Sequence, residues 1–234
     1  MTDEARPVEL EHRLAAVRER ITRACEAAGR DPDDLTLVAV TKFFPASDVD
    51  VLADLGVTDV GENRDQEAAA KVRDVARRAD LRVHFIGQLQ SKKATSVVRY
   101  ADVVQSVDRP KLVTALQSAA ASAGTVLDVL LQVNLDEARG RGGVAPRGAV
   151  ELADLVGGSE HLRLRGVMAV APLGADPAPA FARLQEVAGA VREQDPAATW
   201  ISAGMSGDLE EAIAHGATHL RVGSAILGTR QPHR

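Results

Sequence analysis

Lys42 is the residue whose position most directly suggests chemistry, because it follows the apolar run at residues 37–41. A lysine that leaves an apolar strand is partly desolvated, and desolvation favours its neutral amine. A neutral amine can attack an aldehyde and form a Schiff base. The same position is also typical of a lysine that ends a strand and reaches solvent, so position alone does not establish a nucleophile.

Two glycine- and serine-rich segments near the C-terminus are typical of turns that bind phosphate. Residues 202–208 read Ser-Ala-Gly-Met-Ser-Gly-Asp, and residues 221–224 read Arg-Val-Gly-Ser. Each segment follows a predicted strand and precedes helical sequence, so backbone N–H groups and the hydroxyls of Ser206 and Ser224 could bind a dianion. Glycine and serine also cap helices in many proteins, so it is the pair of turns that favours a phosphate site.

Arg221 adds a charged group to the second of these turns. Strand alternation places it on the same side as Gly223, which predicts that it faces the interior or the mouth of the fold. A buried guanidinium requires an acceptor or a partner. A pyridine nitrogen is one candidate acceptor, and a carboxylate such as Glu62 is the alternative.

These residues must be positioned by the strands and helices that alternate along the chain. Apolar residues recur at three- and four-residue spacing from Leu10 to Cys25, which predicts an amphipathic helix over residues 8–28. Apolar runs then predict eight strands, at residues 35–41, 58–61, 82–87, 103–107, 126–135, 162–170, 199–203 and 219–223. Helical sequence lies between them, for example at residues 46–55, 64–79, 109–121, 178–194 and 209–215.

This alternation predicts parallel strands joined by right-handed helical crossovers. The expected fold is therefore α/β: a single (β/α)8 TIM-type barrel with an extra N-terminal helix. Residues 1–234 would form one domain, with residues 1–30 packing on the barrel. A doubly wound open sheet is the alternative, although no G-x-G-x-x-G follows the first strand. The glycine- and proline-rich segments 140–146 and 172–179 are expected to be βα loops at the active face.

The composition narrows the classes of function. Lysine and arginine number 28 against 33 aspartates and glutamates, a net charge of −5, so nucleic-acid binding is not expected as the main role. The one cysteine, Cys25, excludes an intramolecular disulfide and is expected to be a core residue. The acidic N-terminus lacks a signal core and no apolar stretch could span a bilayer, so we expect a cytoplasmic protein without a membrane partner.

Eight short motifs occur in order along the chain, from about residue 35 onward. They are Val-Ala-Val-Thr-Lys at 38–42, Gly-Glu-Asn-Arg at 61–64, His-Phe-Ile-Gly at 84–87, Ser-Val-Asp-Arg at 106–109, Gln-Val-Asn at 132–134, Leu-Arg-Gly-Val-Met at 164–168, Ser-Ala-Gly-Met-Ser at 202–206 and Arg-Val-Gly-Ser-Ala-Ile-Leu-Gly at 221–228. Each motif alone is weak. Together they are specific, and the chain resembles the pyridoxal phosphate homeostasis proteins.

The resemblance implies a barrel like the N-terminal domain of alanine racemase, with pyridoxal 5′-phosphate (PLP) as cofactor and a Schiff base on the strand-end lysine. By matched positions it implies a cofactor site formed by Lys42, Asn63, Ser206, Arg221, Gly223 and Ser224. The two serines and the glycine would hold the phosphate, the arginine would face the pyridine nitrogen, and the asparagine would lie beside the cofactor. His84 and Met168 also lie on matching motifs, but they receive no role.

The residues favour a carrier over an enzyme. An arginine at the pyridine nitrogen disfavours protonation of the ring, which makes the ring a poorer electron sink. A racemase also needs a second base, commonly a tyrosine, and the only tyrosine, Tyr100, is expected to pack at a helix end. We therefore expect a carrier for intracellular PLP homeostasis without efficient turnover, with recipient PLP-dependent apoenzymes as candidate partners. The resemblance also implies a monomer.

Two enzymatic alternatives stay open from the sequence. One is a PLP-dependent amino acid racemase, and the other is a Schiff-base sugar-phosphate aldolase, which would also use a rim lysine and a phosphate site. A metal site is not expected, because the six histidines form no convincing ligand cluster with strand-end carboxylates. His215 and His219 lie four residues apart across Gly216, and we interpret them as surface or capping residues.

Overall fold

The computed structural model describes residues 5–136 and 142–229. Within these residues, eight parallel strands pair in sequential order, and the last pairs with the first to close a barrel. The strands are β1 (Thr36–Val40), β2 (Asp59–Glu62), β3 (Arg82–Phe85), β4 (Val103–Val107), β5 (Leu127–Gln132), β6 (Leu162–Met168), β7 (Trp200–Ser202) and β8 (His219–Val222). The predicted barrel is confirmed, and the alternative of an open doubly wound sheet is wrong.

Helices connect the strands and surround the barrel. They are α1 (Ala5–Ala28), α2 (Ala46–Asp54), α3 (Asp65–Asp74), α4 (Ala94–Val97), α5 (Pro110–Ala123), α6 (Ala149–Gly157), α7 (Ala178–Gln194), α8 (Leu209–Ala214) and α9 (Ser224–Leu227). Short 3-10 segments lie at Pro32–Asp34, Arg78–Asp80, Ser91–Lys93 and Pro146–Gly148. No helix in the part of the chain that the structure describes is long and apolar enough to cross a membrane.

The predicted elements agree with the observed ones except at some ends. The helix predicted over residues 64–79 stops at Asp74, because Val75 turns to an extended backbone with φ −74° and ψ 115°. The side chain of Val75 is buried in the core, so this residue contributes to packing although it lies beyond the helix. Helix α5 begins with Pro110 and ends at Gly124, whose φ of 65° is the left-handed conformation that glycine adopts without strain.

Helix α1 packs on the side of the barrel that carries the C-terminal turns. Its apolar stripe, which includes Cys25 as predicted, is buried against the rest of the core, and the helix contacts α2, α8 and α9. Arg6 donates a hydrogen bond to the carbonyl of Leu227 and pairs with Asp48 at 2.6 Å. These contacts tie the first helix to the last one.

The interior of the barrel has an apolar part and a polar part. Val103, Leu130 and Met168 form a small buried cluster inside the barrel, with Trp200 packed against it. The polar part comprises buried side chains from five strands: Asp59, His84, Gln105, Ser202, His219 and Arg221. The strands are therefore held together inside by packing on one side and by hydrogen bonds on the other.

His219 corrects one interpretation of the sequence. Its side chain is 3% exposed and its ring lies 4.2 Å from that of Trp200, so it is neither a surface nor a capping residue. Alternation along β8 places it on the same side as Arg221, two residues later. Burial lowers the pKa of His219 to about 3, so the ring is neutral at pH 7. His215, in contrast, does cap the end of α8 and donates from Nδ1 to the carbonyl of Glu211.

Candidate functional site

A cavity of about 610 Å³ opens where the strands β1, β3, β7 and β8 end. The carboxyl ends of barrel strands are the face where functional groups gather. Of the six residues assigned from the sequence, the cavity brings together five, namely Lys42, Ser206, Arg221, Gly223 and Ser224. Residues of the loop 171–177, which follows β6 and overlaps the predicted loop 172–179, also line the cavity.

Asn63, the sixth assigned residue, is not among the residues that line this cavity. It follows β2, and a Cβ atom built on Gly87 would lie only 2.0 Å from its carbonyl oxygen. Glycine at position 87 is therefore what allows the loops after β2 and β3 to lie against each other. The predicted loop 140–146 lies partly outside the described residues, and Gly142 contacts Gln132 rather than this cavity.

The backbone just before Lys42 is held by a buried group of charges. Thr41 donates from its backbone N to the carbonyl of Gly61 at 3.0 Å and from Oγ1 to Glu62 Oε1 at 2.6 Å. Lys71 Nζ donates to the carbonyl of Thr41 at 2.7 Å and to Glu62 Oε1 at 2.8 Å. Thr41, Glu62 and Lys71 are all buried, so the end of β1 is fixed by bonds that water does not weaken.

The backbone just after Lys42 is held by the same group. Phe43 adopts a left-handed φ of 72°, which is uncommon for a residue other than glycine, and its backbone N donates to Glu67. Glu67 lies 3.3 Å from Lys71 Nζ. We call Glu62, Glu67 and Lys71 the Lys71 cluster. Because it binds both neighbours of Lys42, it directs the lysine side chain into the cavity.

Burial acts on the carboxylate of Glu62 in the Lys71 cluster. It raises the pKa of Glu62 above its usual value, and this is opposed by the charge and the hydrogen bond of Lys71. The sequence reasoning did not find this cluster. The available signal was the four-residue spacing of Glu67 and Lys71, which places them on one face of α3.

The two C-terminal turns meet at their serines. Ser224 Oγ donates to Ser206 Oγ at 3.2 Å, and the backbone N of Ala225 donates to the same oxygen at 3.3 Å. A Cβ atom on Gly223 would lie 3.3 Å from the carbonyl oxygen of Val40, so this turn lies close against the end of β1. The two hydroxyls therefore lie side by side at the rim, next to backbone that a ligand can approach.

The first of these turns has a shape that depends on glycine. Gly204 has a φ of +87°, and a Cβ atom there would lie 2.7 Å from the Cβ of Ala212. Met205 donates from its backbone N to Asp208 Oδ1 at 2.6 Å, which closes the turn. Arg20, from α1, donates to the carbonyl of Ser206 at 3.2 Å and braces the turn from outside.

Arg221 is 4% exposed and reaches the cavity from inside the barrel. Its NH1 donates to Ser202 Oγ at 2.7 Å and its NH2 donates to the carbonyl of Ala169 at 2.8 Å. The alternative of an ion pair with Glu62 is wrong, because that carboxylate is bonded to Lys71. Burial lowers the pKa of Arg221 to about 10, so the guanidinium still carries its charge at pH 7.

Tyr100 lies outside the cavity, beyond the end of α4. It is 8% exposed, and its hydroxyl lies 3.5 Å from Asp65 Oδ1. Burial raises the pKa of Tyr100, so the phenol is protonated at any physiological pH. Its surroundings are those of a packed residue, as the sequence indicated.

The cavity matches the chemistry of PLP at three points. Lys42 offers an amine, the serines at 206 and 224 offer hydroxyls beside a close glycine backbone, and Arg221 offers a charged donor with two of its five N–H groups used by protein acceptors. The volume of about 610 Å³ lies within the range of small-molecule sites. The donor set therefore fits an aldehyde, an anion and a ring nitrogen.

Comparison with known proteins agrees with this geometry. The family model described as alanine racemase, N-terminal domain, matches residues 13–231. Curated relatives named pyridoxal phosphate homeostasis protein include that of Mycobacterium bovis, 44% identical over 97% of this chain and 95% of the relative. That of Escherichia coli K12 is 37% identical over 95% of this chain and 97% of the relative.

Solved structures of similar proteins have the same fold as this chain. PipY of Synechococcus elongatus PCC7942, whose structure has PLP bound, superposes with a TM-score of 0.82 and 33% identity, over 94% of this chain and 100% of that one. Alanine racemase from Corynebacterium glutamicum shares the fold, with a TM-score of 0.70 and 15% identity over 91% of this chain and 60% of that one.

The closed barrel and its strand-end cavity define a protein of the alanine racemase N-terminal domain class. Relatives at 37–44% identity cover almost the whole chain. The chain belongs to the pyridoxal phosphate homeostasis protein family, which confirms the resemblance that its motifs indicate.

Proposed function

We propose that this chain binds PLP for intracellular cofactor homeostasis and holds it through Lys42 without efficient turnover. The observation that carries the proposal is that Lys42 and both glycine–serine turns open into one cavity. The names of the curated relatives and the PLP-bound structure of PipY support it.

Each assigned residue has a task that follows from its chemistry. Lys42 bonds to the aldehyde carbon, while Ser206, Ser224 and the backbone at Gly223 bind the phosphate. Arg221 donates to the ring nitrogen, and Asn63 lies beside the cofactor. Bound PLP supplies an aldehyde and an aromatic ring that withdraws electrons.

The charges around the cavity are compatible with a phosphate. Asp208 is the acidic residue among the described lining residues, and its Oδ1 accepts a hydrogen bond from the backbone of Met205. That bond keeps the carboxylate within its own turn. Arg221 supplies a positive charge to the same cavity.

The lining supports a carrier rather than an enzyme. Among the described lining residues there is no tyrosine, histidine or cysteine that could act as a second acid or base. Arg221 remains charged and donates only, so it leaves the ring nitrogen unprotonated and weakens the ring as an electron sink. We propose accordingly that the protein releases PLP to recipient apoenzymes. We also propose, on the resemblance to its family, that it is a cytoplasmic monomer.

The decisive experiment is a titration of the purified protein with PLP, followed by absorbance. The wild type is expected to give a band distinct from that of free PLP, and Lys42→Ala should give free-cofactor absorbance alone. Lys92→Ala is the matched control, because Lys92 is exposed and lies outside the cavity. Reduction with borohydride and peptide mass spectrometry should locate the cofactor on residue 42. Equal spectra for the wild type and Lys42→Ala would overturn the covalent assignment.

A second experiment separates the carrier from the two enzymes. The loaded protein is incubated with alanine in deuterium oxide and, separately, with a PLP-dependent apoenzyme. The carrier predicts negligible exchange of the α-proton and reactivation of the apoenzyme. Rapid exchange would instead indicate a racemase. A protein that gives no band with PLP, but is trapped at Lys42 by a sugar phosphate and borohydride, would be an aldolase.

A further inference from the structure

A continuous chain of hydrogen bonds crosses the barrel interior from the cavity to its far side. Arg221 NH1 donates to Ser202 Oγ at 2.7 Å, and Ser202 Oγ donates to Gln105 Oε1 at 2.7 Å. Gln105 Nε2 lies 2.8 Å from His84 Nδ1, and His84 Nε2 lies 2.8 Å from Asp59 Oδ1. We call these five residues the barrel chain. They come from strands β8, β7, β4, β3 and β2.

The two ends of the barrel chain fix the direction of every bond in it. A guanidinium can only donate, so Ser202 accepts from Arg221 and must use its own proton toward Gln105 Oε1. The amide group of Gln105 then faces His84 Nδ1 with its NH2, which makes Nδ1 an acceptor. His84 therefore carries its proton on Nε2 and donates it to Asp59.

The carboxylate at the end of the barrel chain is ionised. Burial acts to raise the pKa of Asp59, but hydrogen bonds from His84 and Thr58 and the charge of Arg82 outweigh it, so the pKa lies below its usual value. Every donor in the barrel chain thus points toward a negative charge. Hydrogen bonds aligned in this way polarise one another in a low-dielectric interior.

Arg221 depends on the barrel chain because it is 4% exposed and forms no ion pair with the described residues. Its protein acceptors are Ser202 Oγ and the carbonyl of Ala169. Both are neutral, so these two bonds hold the guanidinium in place without balancing its charge, and Asp208, which lines the same cavity, is the carboxylate whose charge acts on it. The two bonds also fix which edge of the guanidinium faces the cavity.

We propose that Ser202, Gln105 and His84 are positioning residues for the cofactor. They hold Arg221 against the ring nitrogen of PLP and fix the direction in which it donates there. None of the three lines the cavity, so they act through Arg221. This inference rests on the proposed function, since it concerns the group that the cavity binds.

Two variants test the barrel chain and one serves as a control. Gln105→Met removes the central amide with little change in volume, and Ser202→Ala removes a single oxygen in case the first variant folds poorly. Leu130→Met is the matched control, because Leu130 is as fully buried in the interior but belongs to its apolar part. Circular dichroism verifies the fold of each variant before PLP is added.

The expected result is a joint change in affinity and spectrum. Ser202→Ala should weaken PLP binding about tenfold to a hundredfold, the effect of one lost hydrogen bond to a charged group. Gln105→Met should weaken it in the same direction, because Ser202 then loses the acceptor that orients it. Both variants should also shift the absorbance maximum of the bound cofactor, which loss of packing alone would not move. Leu130→Met should keep the affinity within about twofold and leave the maximum unchanged.

A second readout needs no cofactor. Nitrogen-15 NMR of the wild-type protein without PLP should show His84 neutral, with its proton on Nε2. A proton on Nδ1, or affinities and spectra of Gln105→Met and Ser202→Ala equal to those of Leu130→Met, would overturn the inference. A wild type that does not bind PLP would overturn the proposed function itself. The NMR result would still test the direction of the hydrogen bonds in the barrel chain, because it is obtained without PLP.

Discussion

Replacing Lys71 by methionine tests whether the Lys71 cluster holds the end of β1. Its side chain is 7% exposed and donates to Thr41 and Glu62 at 2.7 and 2.8 Å, so the variant leaves the Glu62 carboxylate buried without a counter-charge. Breaking a buried pair in this way costs about 3–5 kcal/mol. In a chain of this size that loss lowers Tm by about 6–20 °C.

The measurement is urea unfolding followed by circular dichroism at several pH values. Burial already raises the pKa of Glu62 above its unfolded value, and losing Lys71 raises it further. The folded state of the variant then binds the Glu62 proton more tightly than the unfolded state does. The stability of the variant is therefore greatest at low pH, and it falls as the pH rises from the unfolded pKa of Glu62 to the raised folded pKa. The deficit of Lys71→Met should therefore be smaller at pH 5 than at pH 8.

Lys93→Met is the matched control for this prediction. Lys93 pairs with Asp65 at 3.2 Å, but its side chain is 37% exposed, so water screens its charge. Asp65 also keeps the hydrogen bond from Ser96, and the loss of Lys93 should cost about 0–1 kcal/mol. The double variant Glu62→Gln with Lys71→Met should recover part of the loss, since no buried charge remains. If Lys71→Met costs no more than Lys93→Met and shows no added dependence on pH, the cluster does not stabilise the strand end.

Two further outcomes follow from the buried rings. The folded pKa of His219 is lowered to about 3 from 6.5, so its contribution is complete above pH 6.5 and is lost as the pH falls toward 3, at up to about 1.4 kcal/mol per pH unit. Urea unfolding of His219→Gln should show a flatter loss between pH 6.5 and 4.5 than the wild type, and parallel curves would contradict the assignment. Tyr100→Phe removes one 3.5 Å contact with Asp65, so it should cost less than about 1 kcal/mol and leave PLP affinity unchanged. A tenfold loss of PLP affinity in Tyr100→Phe would instead place the phenol in the site.

Local pattern was enough to predict the barrel and the main groups of its cavity. Apolar runs that alternate with amphipathic helices define parallel βα units, because each period reflects which faces an element buries. Lys42 at the end of one such run, and glycine–serine turns after the last two, were visible for the same reason. The burial of His219 could also have been predicted, since the alternation that places Arg221 inside applies equally two residues earlier.

The sequence by itself therefore determined the order of strands and helices, the family and five of the residues that line the cavity. Only the tertiary structure decided which distant side chains support them. Ser202 and Gln105 are 97 residues apart, and Lys71 reaches Thr41 across 30 residues. Ser202 and Gln105 meet because closing the barrel brings non-neighbouring strands across a shared interior. Lys71 meets Thr41 because helix α3 places its side chain against the end of β1. No local period in the sequence records either distance. Asn63 is a residue that the sequence assigned to the site from its motif, but the tertiary structure does not place it among the residues that line the cavity.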